Sequence, residues 1–358
     1  MTRTSPQIPL YDHFNQFIKA AAAGRRLTAS GKRISKGTIV NYRFTQKLLQ
    51  EYEEKYVIKL RIQLLHKASM RMLQKEKNYW SRFFQRFSCF LYLNKSYHDN
   101  YVNGVFKILK TFFNYLQNEK GYMVGNYHKS FRIPLQQSMP VVLQPWQLQF
   151  LISNKDFENT LNPYLKRARD IFIVGCTVAL RFSDLMNLKK SNLVQSGNET
   201  FLMFFTQKTG AEIRIPLPEY VLEIINRNKR RTGKYILPRI SSTNINLQIK
   251  KLIKLAGWNQ SLPKYISSRG KMKELKSKTG QTWQFYQHIT AHTMRRTAIT
   301  TLLMLGVPEN LVRKVSGHAP GSKEFYKYVS IAQEYLNQEI KNAYKKLLEA
   351  PLFFSNEK

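Results

Sequence analysis

The stretch from Gln287 to Tyr328, QHITAHTMRRTAITTLLMLGVPENLVRKVSGHAPGSKEFYKY, decides how the chain is read. Its apolar spacing gives two helices joined by a turn. Gly306 ends the first, and Pro308 suits the first turn of the second. Thr290 is placed to cap the first helix, and His292 and Arg295, three positions apart, share one face within its first turn. Free backbone N–H groups, the positive end of the helix dipole and a guanidinium would then converge, which is how an oxyanion such as phosphate is held. The second helix stops at Gly317 and leaves His318 on the loop behind it. Ten positions later stands Tyr328, a phenol able to attack phosphorus if its neighbours manage its proton.

Working outward, the balance of charge names a class of partner. Lys and Arg number 58 against 22 Asp and Glu, a formal net charge of +36 over 358 residues. Such a charge repels itself in a compact protein unless a polyanion sits against it, and nucleic acid is the natural one. A basic ribosome-associated or membrane-surface protein shares that composition, so motifs must decide. Cys89 and Cys176 each lie in an apolar run and read as buried free thiols of a reducing compartment rather than a disulfide or metal pair. The start, MTRTSPQ, lacks an apolar signal core, and the longest apolar run, Ile171–Leu180, is too short to span a bilayer. A cytoplasmic protein is expected.

The N-terminal part is helical in pattern. Residues 9–23 form one helix, followed by the basic GRRLTASGKRISKG. Ser35 then caps a long amphipathic helix from Lys36 to Tyr56. Periodic segments at 59–75 and 78–93 and a fourth from Asp99 to Lys120 complete an all-helical domain over 1–122, with 1–34 as a short extension. That N-terminus is expected to be too short for a separate arm-binding domain. Exposed cations Lys36, Arg43, Lys47 and Lys107 are candidates for phosphate contact, although solvated-face lysines are common. Three prolines over 121–147 and weak periodicity place a linker at 123–140, and the second domain spans 141–358. It opens with helices at 144–153 and 163–179. Short strands around 193–216 then form an antiparallel hairpin sheet, with Lys208 at the tip between the second and third. A helix at 244–256, a basic patternless stretch at 258–287 and a final helix at 331–347 follow.

Three ordered boxes carry a family resemblance: ALRFSDL at 179–185, TQKTG at 206–210, and the opening stretch with its HTMR, SGH and closing tyrosine. Together they resemble the tyrosine recombinases of the phage-integrase family, most closely the integrases of Bacteroides-type mobile elements. The resemblance implies a mainly α fold with a small antiparallel β-sheet: an N-terminal helical core-binding (SAM-like) domain and a C-terminal catalytic domain. It also implies a site-specific recombinase that cleaves and rejoins DNA through a 3′-phosphotyrosine, with no cofactor, metal or ATP. Arg181 and Arg295 would fork onto the non-bridging phosphate oxygens, Lys208 protonate the leaving 5′-oxygen, His292 take the tyrosine proton and His318 donate to the phosphate. The expected partners are double-stranded DNA and, for a chain monomeric in solution, three further copies in a homotetramer on synapsed sites. Accessory DNA-bending proteins are further candidates.

Blander readings stand beside these. Arg181 could cap the preceding helix, Asp184 pair with it structurally, and Lys208 be an ordinary turn residue. The helix–turn–helix outline of 291–316 also fits a non-catalytic, sequence-specific DNA-binding regulator or accessory factor. Two tyrosines, Tyr326 and Tyr328, fall near the family position, and about 200° of helix rotation separates them. The Phe325-x-x-Tyr spacing selects Tyr328. The helix beyond it, with Ile331, Tyr335 and Ile340, is expected to find its apolar cover on a second protomer.

Overall fold

Serine side chains start the two longest helices of the N-terminal part. Ser35 Oγ accepts from the Thr38 N–H at 3.2 Å and Ser69 Oγ from the Met72 N–H at 3.3 Å, each satisfying a donor that helix geometry leaves over. These helices are α2 (Lys36–Tyr56) and α3 (Met70–Leu93), joined by α1 (Leu10–Ala22) and α4 (Asp99–Asn118). The computed structural model describes residues 6–136, 138–205, 212–277 and 279–349. Contacts divide the chain into two units: Met1–Gln137 with Lys264–Leu275, and Ser138–Pro263 with Lys276–Lys358.

The first unit is built on aromatic residues at helical spacing. Phe14, Phe17, Tyr52, Phe87, Phe90 and Phe112 are all but inaccessible, and their edge-on and tilted contacts add about 0.5–1.5 kcal/mol per pair to simple area burial. Of the helix expected over 59–75, residues 59–69 are non-helical instead and 70–75 form the first turns of α3. Val57 leaves α2 in the left-handed conformation, and the following Leu60, Ile62 and Leu65 are buried from an extended backbone. Ile62–Gln63 (β2) pairs antiparallel with Gln7–Ile8 (β1). Val124, His128 and Phe131, from the stretch with weak periodicity, join this core. Cys89 departs from the expected burial: it falls on the open face of α3, opposite Phe83, Phe87 and Phe90.

Part of the basic stretch after Trp258 is an antiparallel hairpin, Tyr265–Ser268 with Lys271–Glu274, and it belongs to this first unit. Asp99, at the start of α4, is fully buried and receives the Arg269 N–H (2.8 Å), the Gly270 N–H (3.0 Å), the Tyr92 hydroxyl (2.7 Å) and the Ser267 hydroxyl. Burial alone would raise the Asp99 carboxyl, but these donors outweigh it and hold it below the usual range.

The second unit centres on α7 (Pro163–Val178), preceded by α5 (Pro145–Ser153) and α6 (Lys155–Thr160) and followed by the one-turn α8 (Phe182–Leu185). Three antiparallel strands, β3 (Leu193–Ser196), β4 (Glu199–Phe205) and β5 (Glu212–Pro216), follow in sequential order. The register Leu202–Ile215 and Phe204–Ile213 turns the buried side chains to one face, as strand alternation requires. Helices α9 (Glu219–Asn228), α10 (Ser242–Leu255), α11 (Phe285–His288), α12 (Ala291–Met304), α13 (Glu309–Ser316) and α14 (Lys323–Glu349) complete the unit. The fold is thus mainly α with small antiparallel sheets.

Helix α12 packs directly on α7, and Gly175 is what permits the approach. A Cβ there would sit 3.0 Å from Met294 Cβ and Cγ. The last helix starts well upstream of residue 331 and carries Tyr328 within it. Its apolar side is also covered differently from expectation. Ala332 is buried and Ile331 and Tyr335 pack on the cluster around Ala298, Ile299 and Val312, because α14 lies along α12. Only further out do Ile340 and Tyr344 stand exposed.

Candidate active site

The site begins where α7 ends. Ala179 stops that helix at φ 55°, a left-handed conformation that costs a non-glycine residue about 1 kcal/mol. The turn throws Arg181 forward as the residue capping α8 and leaves the Ala179 carbonyl facing inward. Arg295, on the buried side of α12 and only 3 % exposed, donates from Nη1 to that carbonyl at 3.0 Å. Burial first, then the charge of Arg181, pulls Arg295 down to about 10, while Tyr328 and the buried Asp184 act in the opposite direction. Two guanidinium groups are therefore held close together with incomplete compensation. Arg181 Nη1 is buried and makes no hydrogen bond in the protein, a donor that an anionic ligand would satisfy.

Both histidines border this cationic centre. His318 follows the left-handed Gly317 at the end of α13 and is fixed by the Ser316 hydroxyl, 2.8 Å from Nδ1. Arg295 Nη2 lies 3.3 Å from Nδ1 and 3.1 Å from Nε2. Burial, Arg295 and Arg181 lower His318 to about 4. His292, in the first turn of α12, is exposed to solvent. Desolvation by the surrounding protein, then Arg296, Arg295 and Arg181, brings it to about 4 as well. Each imidazole is neutral at pH 7 and able to accept a proton.

The amide cradle expected at the start of α12 is engaged elsewhere. The Ala291 N–H donates to Asn246 Oδ1 at 2.7 Å and the Thr293 N–H to the Thr290 carbonyl at 2.9 Å. Two of the first-turn amides are thereby taken from any anion.

Tyr328 is 4 % exposed and shares the inner side of α14 with the fully buried Phe325. Its ring lies 6.0 Å from that of His318. Tyr326 points the other way and is 49 % exposed. The structure therefore gathers Arg181, His292, Arg295, His318 and Tyr328 in one place. Lys208 lies outside the described residues. Ser316 and Ala179 were not singled out by sequence. A hydroxyl two positions before a histidine at a helix end was the one available signal for the first, and nothing local marks an alanine for left-handed geometry.

Lys36, Arg43, Lys47 and Lys107 are all exposed on the first unit. The first three recur along one face of α2, and Lys47 lies 3.8 Å from Glu51. Among the described residues no group of three or more His, Cys, Asp or Glu is arranged to hold a metal ion, and no helix is long and apolar enough to cross a membrane.

Comparison with known proteins follows the same lines. No curated protein matches the chain in sequence. The fold is similar to that of a lambda integrase dimer bound to a COC′ core site, with 14 % identity, a TM-score of 0.58 and 90 % of this chain and 77 % of that one covered. It is similar to the XerH site-specific recombinase bound to a palindromic difH substrate in a post-cleavage complex (13 % identity, 92 % and 87 % covered, TM-score 0.58). A third similar structure is the Tn1549 transposon integrase in complex with transposon right-end DNA (14 % identity, 94 % and 99 % covered, TM-score 0.56). A model of the phage integrase family matches residues 147–334, just over half of the chain and all five gathered side chains. This protein belongs to the phage integrase family.

Proposed function

We propose that the protein is a site-specific DNA recombinase that cleaves and rejoins duplex DNA through a 3′-phosphotyrosine. The observation that carries this reading is the pair of close guanidinium groups, Arg181 and Arg295, with a buried tyrosine and two neutral histidines beside them. The phenol oxygen of Tyr328 attacks the scissile phosphorus and its proton passes to His292. The phosphorus–O5′ bond breaks, the 5′-oxygen leaves with a proton from Lys208, and the DNA 3′-phosphate stays esterified to the tyrosine. Arg181 and Arg295 neutralise the charge that builds on the non-bridging oxygens, and His318 donates to one of them. The new ester conserves the energy of the broken strand, so the reverse attack by a 5′-hydroxyl needs no ATP. Arginine and lysine supply the charge that a metal provides in other phosphoryl-transfer sites.

The non-catalytic regulator alternative leaves the burial of Arg295 next to a second guanidinium unexplained. The phosphate-facing role of Lys36, Arg43, Lys47 and Lys107, the helical domain over 1–122 and the Bacteroides-type kinship belong to the same proposal. So do the assembly of four copies on synapsed DNA, with exposed Ile340 and Tyr344 docking on a neighbour, and work in the cytoplasm with DNA-bending helpers. The deciding experiment incubates the protein with a nicked duplex bearing the ends of its own element, in EDTA and without nucleotide. A covalent protein–DNA species is expected. Cleavage that disappears on chelation and returns with Mg²⁺ would mean a nuclease instead.

A further inference from the structure

His318 has two ring nitrogens, and the structure treats them differently. Arg295 Nη2 is nearly equidistant from both, at 3.3 Å from Nδ1 and 3.1 Å from Nε2. An in-plane approach at those distances would drive it into the carbon between them, so Nη2 lies out of the ring plane. Neither lone pair points at it. The shorter contact of Nδ1 is with the hydroxyl of Ser316, at 2.8 Å. Ser316 is the last residue of α13 and is 1 % exposed.

That hydroxyl has one other neighbour, the Arg313 carbonyl at 3.3 Å. This carbonyl already accepts the His318 backbone N–H at 3.1 Å, in the bond that closes the helix end. The shorter and less contested direction for the serine proton is towards Nδ1. A neutral imidazole that accepts at Nδ1 carries its proton on Nε2.

We propose that Ser316 is a positioning residue that holds His318 as the Nε2–H tautomer, so that the ring offers a hydrogen-bond donor, in plane and clear of Arg295, to a phosphate oxygen. This deepens the recombinase reading and rests on it. The opposite tautomer would turn a lone pair towards the phosphate and remove one donor from the transition state. It would also require the serine proton to share the Arg313 carbonyl with the His318 amide. The depressed basicity of His318 agrees with this arrangement, because the donor is then present without a positive ring.

The test uses the full chain with ¹⁵N-labelled histidine, the His318 signal being identified by its loss in His318→Gln. Wild-type protein should show Nδ1 as the unprotonated nitrogen and Nε2 as the protonated one. Ser316→Ala should shift His318 towards a mixture of tautomers and slow covalent adduct formation on the nicked duplex by about three- to tenfold, the worth of one hydrogen bond. Ser316→Thr, which restores a hydroxyl, should recover both. A purely structural serine would lose rate through melting temperature and leave the tautomer alone. The nitrogen signals are read without DNA, so a wild-type protein that forms no adduct counts against the recombinase reading only. The role given to Ser316 falls if His318 holds the same tautomer in Ser316→Ala, or if that variant cleaves at the wild-type rate.

Discussion

Changing Tyr328 and Tyr326 to phenylalanine, one at a time, tests the register of the proposed nucleophile and separates chemistry from packing. Each change deletes one oxygen and keeps the ring. Tyr328 is 4 % exposed, against Phe325 on the inner side of α14, so Phe preserves almost all of its buried area. The stability change should stay within about 1 kcal/mol, the worth of one hydroxyl hydrogen bond. Tyr326 is 49 % exposed, and its change should stay within about 0.5 kcal/mol. The effects on reaction should differ far more. Removing a nucleophile from a covalent mechanism costs on the order of 10⁴- to 10⁶-fold, which places Tyr328→Phe below detection on a denaturing gel of protein–DNA adduct. Tyr326→Phe should form adduct at close to the wild-type rate. Melting curves of both proteins establish that neither is unfolded. Adduct persisting in Tyr328→Phe, or lost in Tyr326→Phe, would refute the assignment and the burial argument behind it.

Other perturbations probe what supports the site. Gly175→Ala places a methyl group against Met294; it should cost about 1–3 kcal/mol and, by moving α12 off α7, slow adduct formation, which a melting curve and a single-turnover assay measure together. Asp99→Ala leaves the Arg269 and Gly270 amides without their acceptor, and hydrogen exchange there should quicken about a hundredfold, corresponding to about 3 kcal/mol; unchanged protection would show the carboxylate to be dispensable. Burial, with Lys129 and Lys110 close by, lowers His128 to about 4 in the folded state, whereas the unfolded chain takes up its proton near 6.5. Stability is therefore undiminished above pH 6.5 and falls as pH drops towards 4, by about 2 kcal/mol for this residue by pH 5. His128→Gln should show a smaller loss between pH 7 and pH 5 in the same melting series.

Helices whose apolar spacing and caps agreed were legible in the sequence. Ser35 and the period of Ile39, Tyr42 and Leu49 give α2 to the residue. The three strands of the second unit were legible for a similar reason, since alternation and turn residues coincide there. Residues 59–69 misled because Leu60, Ile62 and Leu65 fit either period, and the choice of extended chain came from pairing with Gln7–Ile8, more than fifty residues away. At the site, residue types and order could be read, but their support could not. The side-chain capture of the Ala291 amide by Asn246 depends on a tertiary neighbour, the left-handed Ala179 has no local marker, and the contact of Ser316 with His318, though local, depends on how the chain turns after α13. Ile331 and Tyr335 appeared to lack cover for the same reason, because a sequence does not display the groove that α12 offers to α14.

The hairpin at 264–275 gives the protein an interleaved order of assembly, with consequences for its inheritance. A gene fragment ending near residue 137 would encode α1 to α4 but not Ser267, Arg269 and Gly270, leaving Asp99 with Tyr92 as the remaining one of its four donors. The two units therefore cannot be shuffled among relatives as a simple front half and back half. An exchange of the N-terminal block that brings in a different residue at the start of α4 must carry a matching hairpin from a distant part of the gene, or leave buried donors unmet. Chimeras that exchange both segments should fold better than those that exchange one, and drift in the two segments should be tied together although more than a hundred residues separate them along the chain.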